Sequence, residues 1–278
     1  MSLTLSLRQA PPGRISLFGI TPDRLVGRSI AEIERLPLVW GRETPALGEF
    51  FEVTGSADER LVFEGSDRRF CDVAGGMNAG ECEVQGDAGD FLARDMRGGR
   101  IVVRGSVGRF AASGLCGGEL HIDGNAGDRL GGALPWLAAG MRGGRVIVAG
   151  SVGERCGDKL RRGEIFVGGN AGAFCAARMV AGSVIVAGRL GPHPGYGMRR
   201  GSLLLLRDTY APPPTFAETA MVADAYLRLV WRDWIARFEP DSVFASFARR
   251  AAAGAVRARR WMGDLGSDGR GEVFGFAA

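Results

Sequence analysis

Between Gly80 and Leu206 one pattern recurs with constant internal spacing: a glycine doublet or x-Gly, a five-residue stretch, then a Gly-x-x-Gly corner. The corners are Gly86-Asp-Ala-Gly89, Gly105-Ser-Val-Gly108, Gly124-Asn-Ala-Gly127, Gly150-Ser-Val-Gly153, Gly169-Asn-Ala-Gly172 and Gly188-Arg-Leu-Gly191. Their steps are 19, 19, 26, 19 and 19 residues, so one turn carries a seven-residue insertion between Gly127 and Gly143. A fixed period near twenty residues marks a solenoid, in which each unit buries its apolar face only by stacking on its neighbours.

The side chains agree. Second positions of the five-residue stretches are Cys82, Ile101, Leu120, Val146, Ile165, Val184 and Leu203, and fourth positions are Val84, Val103, Ile122, Val148, Val167, Val186 and Leu205. Alternation along a strand sends both sets to one side of a sheet. Met96, Leu115, Met141, Leu160, Met179 and Met198 follow the corners at one offset and supply a third apolar column. An apolar period of two excludes a helical solenoid. The sequence therefore predicts a mainly β chain, a right-handed parallel β-helix with C-terminal α-helices. Glycine suits its corners because a sharp bend demands positive φ or leaves no room for a Cβ against the next turn. Three regions follow: an N-terminal cap with the first strands (1–64), the repeats (65–210), and C-terminal helices with a tail (211–278).

Outside the repeats, residues 3–18 read as two short strands joined by a turn at Pro11-Pro12, and Ser29 with Glu32 forms a capping box before a helix ending at Pro37. Gly48–Thr54 and Leu61–Glu64 read as further strands covering the open end of the solenoid. After Pro212-Pro213-Pro214, Thr215 and Glu218 suggest a second capping box. Met221, Leu227, Val230, Trp231, Trp234 and Phe238 then recur at helical spacing. Pro240 ends that helix, and another is expected from Val243 through the arginine-rich stretch to Arg260. The glycine-rich tail from Trp261 should be ordered only where something holds it.

The middle, outward-facing residues of the strands are Glu83, Val102, His121, Ile147, Phe166, Ile185 and Leu204. Most are large and apolar, so the C-terminal helices or a partner subunit must cover them.

Composition bounds function. A chain of 278 residues with 46 % hydrophobic content can bury a sizeable core. It has neither a membrane-spanning run nor a signal peptide, which points to the cytoplasm. Five cysteines without a C-x-x-C pair agree with a reducing compartment, and Cys156 and Cys175 share one offset in adjacent turns, reading as small core residues. No nucleophile and base pair, clustered carboxylates or metal-ligand set is visible, and nothing indicates nucleic-acid binding.

Arginine dominates the charge, since Lys159 is the only lysine among 35 basic residues. One offset holds Arg97, Cys116, Arg142, Arg161, Val180 and Arg199, with Arg162 and Arg200 beside two of them. Stacked turns would align these guanidinium groups about 5 Å apart. Such a column is either a solvated edge paired with glutamates such as Glu119, Glu154 and Glu164, or a receptor for a polycarboxylate. His193, within Gly191-Pro-His-Pro-Gly-Tyr-Gly197, is a further candidate for that ligand.

The corners and doublet glycines, Leu36-Pro-Leu-Val-Trp-Gly41 followed by Gly48-Glu-Phe-Phe-Glu-Val53, and the tail Gly263-Asp-Leu with Gly269-Arg-Gly-Glu-Val273 resemble the C subunit of formylmethanofuran dehydrogenase over nearly the whole chain. The similarity is greatest to the counterpart in the bacterial formyltransferase/hydrolase complex. The resemblance implies a β-helical scaffold in one-carbon metabolism, beside formyltransferase and amidohydrolase-type subunits in a hetero-oligomer. It carries no catalytic residue and no covalently bound cofactor onto this chain. It also implies a methanofuran-type carrier with a glutamate-rich tail, for which Arg97, Arg142, Arg161, Arg199 and His193 are the candidate contacts. The arginine bias favours the hydrolytic complex over a molybdenum or tungsten dehydrogenase. A β-helix domain like that of glutamate synthase, and a free-standing carbohydrate-active enzyme with clustered carboxylates, are the other readings.

Overall fold

The computed structural model describes residues 2–207, 212–220 and 224–277. Its N-terminal part holds β1 (Leu3–Leu7), β2 (Ile15–Ser16), α1 (Pro22–Leu25), α2 (Ile30–Glu34), α3 (Leu47–Phe50), β3 (Phe51–Gly55), β4 (Arg60–Ser66) and β5 (Phe70–Cys71). The repeats supply β6 (Glu81–Gly86), β7 (Arg100–Val103), β8 (Glu119–Ile122), β9 (Arg142–Val148), β10 (Arg162–Val167), β11 (Ser183–Val186) and β12 (Ser202–Leu205). β13 (Ala217–Thr219), α4 (Asp224–Arg237), α5 (Val243–Ala252), β14 (Arg257–Gly263) and β15 (Gly271–Ala277) complete the chain. Apart from the β2–β5 pair, the strands form one 13-stranded mixed sheet among the described residues.

From β6 to β12 the strands pair in parallel with residues one repeat apart in register, so Cys82, Ile101, Leu120, Val146, Ile165, Val184 and Leu203 lie side by side. Both strand columns are at most 3 % exposed and the column from Met96 to Met198 is fully buried. Each Leu, Ile or Val so placed contributes roughly 1.5–3 kcal/mol. Two further ladders join the turns. Parallel bridges link Ala88, Val107, Ala126, Val152, Ala171 and Leu190 at the corners. Amide-to-carbonyl bonds such as Ala93 to Val73, Ala112 to Leu92 and Ala176 to Cys156 link the stretch that follows. The insertion bulges between Gly131 and Met141, where the Met141 amide donates to the Gly131 carbonyl at 2.8 Å.

Glycine meets two demands here. At Gly150 a Cβ would fall 2.5 Å from the Gly124 carbonyl oxygen of the preceding turn, so close approach excludes a side chain. At Gly99, in a doublet, φ is +87° as well.

The outward face is covered in part by the chain itself. Phe166, Ile185, Leu204 and Phe274 are at most 1 % exposed beneath α4 and α5. Phe166 meets Trp234 and Phe244 edge to face at 5.3 and 5.1 Å, geometry that aromatic rings favour. Val102, His121 and Ile147 are only half-buried.

Several local expectations change. β1 and β2 do not pair with each other; β1 lies between β3 and β4, and β2 joins β5. The box at Ser29 and Glu32 forms as read, capping α2. Thr215 and Glu218 cap no helix, because Ala217–Thr219 is a strand against β14. The expected helix through Arg260 stops at Ala252, and Arg257–Gly263 pairs with β15, whose β-structure orders the tail. Met221 and the boundary between the repeats and the C-terminal region lie outside the described residues.

Candidate anion-binding edge

The arginine column sits where each turn re-enters its strand. The Arg97 amide donates to the Met77 carbonyl, Arg142 to Leu115, Arg161 to Met141 and Arg199 to Met179, at 2.7 to 3.0 Å. Cys116 and Val180 occupy the intervening rungs. The buried methionine or leucine just before each rung anchors the backbone in the core and leaves the next side chain outside; all four arginines are exposed. The structure thus brings Arg97, Arg142, Arg161 and Arg199 onto one edge.

Two clefts mark this edge. In one of ≈ 360 Å³, Arg97 and Arg142 flank Cys116 and are joined by Arg24, with Asp95 also lining it. In another of ≈ 340 Å³, Arg199 and Arg200 meet Arg270, with Asp268 opposite. The Arg270 amide bonds to the Arg199 carbonyl at 2.7 Å, extending the edge by residues far away in sequence. Each cleft sets three guanidinium groups against one carboxylate.

Two of the three glutamates that could have neutralised the column, Glu119 and Glu164, are engaged elsewhere. Glu119 contacts His121 and Arg145, and Glu164 pairs with Arg145. Burial pushes Glu119 up, but the His121 hydrogen bond and the charges of His121 and Arg145 outweigh it and hold its carboxyl below the usual range. Among the described residues, none of Arg97, Arg142, Arg161, Arg199, Arg200 and Arg270 has a carboxylate within ion-pair distance. Elsewhere arginines bridge adjacent turns as usual: Arg104 reaches Glu83 and Asp123 at 3.2 Å, and Arg60 with Arg104 holds Glu83 below the ordinary glutamate range. Asp90 and Asp128 likewise serve arginine contacts, Asp90 with Arg14 at 2.8 Å and Asp128 with Arg109 at 3.9 Å.

His193 belongs to a different feature. With φ +59° it occupies the register of Phe91, Phe110, Arg129, Arg155 and Phe174, all left-handed. The rings and guanidinium groups stack: Phe91 on Phe110 at 5.5 Å, Arg129 over Phe110 at 5.5 Å, Arg155 over Phe174 at 4.6 Å and Phe174 on His193 at 5.0 Å. His193 also borders a cavity of ≈ 550 Å³ with Arg189, Arg207 and Pro213. That cavity shares no lining residue with the arginine clefts.

The four buried thiols are packing elements. Burial pushes Cys82 up to about 12, and hydrogen bonding with Cys175 together with burial raises Cys156. Among the described residues no group of three or more His, Cys, Asp or Glu is placed to hold a metal, and no helix is long and apolar enough to cross a membrane.

The class of protein these features define is a mainly β stack of repeated turns with one cationic edge. No family model matches the chain. It superposes at a TM-score of 0.89, with 37 % identity, on a chain of the X-ray crystal structure of the formyltransferase/hydrolase complex (FhcABCD) from Methylorubrum extorquens in complex with methylofuran; 99 % of this chain and 100 % of that one are covered. Among curated relatives, the C subunit of the Fhc formyltransferase/hydrolase complex of M. extorquens is 39 % identical over 89 residues, 32 % of this chain and 34 % of that protein. The C subunit of the molybdenum-containing formylmethanofuran dehydrogenase 1 of Methanosarcina barkeri is 43 % identical over 75 residues, 25 % of each chain. These sequence matches span only 34 and 25 % of the curated relatives, whereas the structural match spans all of its partner. The chain belongs to the family of formylmethanofuran dehydrogenase C subunits.

Proposed function

We propose that this chain is the scaffold and carrier-binding subunit of a cytoplasmic formyltransferase/hydrolase complex, alongside formyltransferase and amidohydrolase-type subunits. Likeness along the entire chain to a component of such a complex carries this reading. The molybdenum or tungsten dehydrogenase has support from shorter alignments alone. The three-region division of the sequence fits this role, with the repeats as a right-handed parallel β-helix. Support for that architecture comes from the three parallel ladders, repeated every turn.

The unpaired arginine edge supports carrier binding. A methanofuran-type carrier, which bears the formyl unit on its amine, would offer carboxylates to Arg97, Arg142, Arg161 and Arg199, with Arg24 and Arg270 extending the contact. The guanidinium fork suits carboxylates, and a ladder of them suits a chain of carboxylates. His193 lies with the stacked rings and would act at most on another part of the same ligand. The catalytic groups are assigned to the partner subunits.

The test is the R142Q/R161Q/R199Q variant of the assembled complex, assayed for carrier retention. Retention should fall about tenfold or more and become strongly salt-sensitive, with the set of assembled subunits unchanged. Wild-type retention at low ionic strength would remove the carrier-binding assignment.

A further inference from the structure

A second basic feature lies away from the arginine edge. Between α4 and the start of β14 runs an open groove of ≈ 900 Å³. Its floor is apolar and firmly held: Leu227, Trp231 and Phe276 are 5, 5 and 3 % exposed, packed on the cluster that covers the sheet. Ile235, 38 % exposed, forms part of one wall. Around the rim stand Arg228, Arg232 and Arg257, all exposed, and no acidic residue lines the groove among the described residues.

The described side chains offer Arg228, Arg232 and Arg257 no counterion. Among the residues whose side chains the structure describes, none is within ion-pair distance of a carboxylate, in contrast to Arg237 and Arg259 nearby, which pair with Asp233 and Glu218. Arg228 and Arg232 stand one helical turn apart on one face, where like charges repel.

We propose that this groove docks an acidic, apolar segment of a neighbouring subunit, with an aromatic or aliphatic anchor on Trp231 and Phe276 and carboxylates against Arg228, Arg232 and Arg257. Charge complementarity selects the partner: a cationic rim without counterions among the described side chains calls for anions, and the apolar floor rejects a purely charged tail. Tryptophan and arginine are the side chains that dominate interface energetics, and here the aromatic floor is already rigid, so docking costs little ordering on this side. An open trough with charges spread along its rim fits a polypeptide segment better than a compact ligand, which needs enclosure. The inference rests on the hetero-oligomer reading above.

The test uses the purified complex. A photo-crosslinking residue, p-benzoylphenylalanine, replaces Ile235 in one preparation and Val26, exposed on the N-terminal region, in a control. Ile235 should crosslink to another subunit at a segment that interleaves Asp or Glu with large apolar residues, and Val26 should not reach that segment. Crosslinks to a second copy of this chain, to no protein, or to a segment without carboxylates overturn the proposal. In parallel, R228E/R232E/R257E should weaken retention of that subunit about a hundredfold, with a steep salt dependence and an unchanged melting temperature of the isolated chain. Retention equal to wild type overturns it. If wild-type preparations contain no partner subunit, the hetero-oligomer reading fails together with this one; if the complex forms and survives the triple variant, the docking assignment alone fails.

Discussion

Gly150→Ala tests the stacking of turns at a single atom. The added Cβ would lie 2.5 Å from both the Gly124 carbonyl oxygen and Asn125 Oδ1, closer than side-chain carbons come to oxygen. Relief requires the two turns to separate by several tenths of an ångström. Three bonds converge there: Gly150 N to Gly124 O at 3.1 Å, Ser151 N to Asn125 Oδ1 at 2.8 Å and Gly169 N to Gly150 O at 2.8 Å. Partial loss of these, at about 1 kcal/mol each, adds to the strain of shifting the buried Val148 and Val152 on either side. The sum is about 3 kcal/mol. For a chain of this size that lowers the melting temperature by roughly 6–12 °C. Gly27→Ala is the matched control: its φ is +77° but nothing lies within 4 Å of a Cβ, so only the left-handed backbone cost of about 1 kcal/mol remains. Thermal unfolding followed by circular dichroism should rank the two variants clearly. Gly150→Ala melting like the parent, or like Gly27→Ala, would refute close packing between turns as the reason for glycine at the corners.

Three other measurements follow. Of five cysteines only Cys116 is exposed, so a thiol reagent should modify one group in the folded chain and five in denaturant; rapid modification of more than one would contradict the burial. The same raised thiols bear on alkaline stability: the unfolded chain gives up Cys82's proton in the ordinary thiol range while the folded chain keeps it to about 12, so stability should fall as pH rises through that window, by about 1.4 kcal/mol per unit for each such thiol. Asp158, fully buried, accepts from Arg178 Nε at 2.8 Å and contacts Arg129 at 3.5 Å, raising Arg178 above its ordinary value. Asp158→Ala should cost about 2 kcal/mol, less than a fully buried pair because Arg178 retains water on its outer side, and should loosen the inserted loop that Ala133 ties to the Asp158 carbonyl. An unchanged denaturation midpoint would show that the network is dispensable.

The inward columns are legible in the sequence because their period is that of a strand and each residue's environment is set by its neighbours one turn away. Short-range rules also locate α2, where Ser29 and Glu32 close on one another. They fail at the C-terminus. Thr215 and Glu218 satisfy the spacing of a capping box, but pairing of Glu218 with Trp261 decides the backbone there, a contact 43 positions distant. Arg257–Arg260 reads as helix because its arginines disguise the alternation that goes on to bury Trp261 and Gly263. The left-handed residues are invisible for another reason. Phe91, Ala93 and Asp95 carry φ of +64, +56 and +56° without being glycine, a conformation that only the bonds between turns sustain. The arginine column is readable from spacing. Arg24 and Arg270 are not, since neither lies within the repeat, and neither is the engagement of Glu119 and Glu164 by Arg145.

Both ends of the parallel stack finish in antiparallel strands, β3 against β1 and β14 against β15. Reversed strands offer an incoming parallel turn the wrong register, so the stack does not template its own extension. Length is then written into the number of interior turns alone, and a turn can be gained or lost without redesigning either end. The stack is graduated like a ruler in steps of about 4.8 Å, and its length can change only in whole graduations.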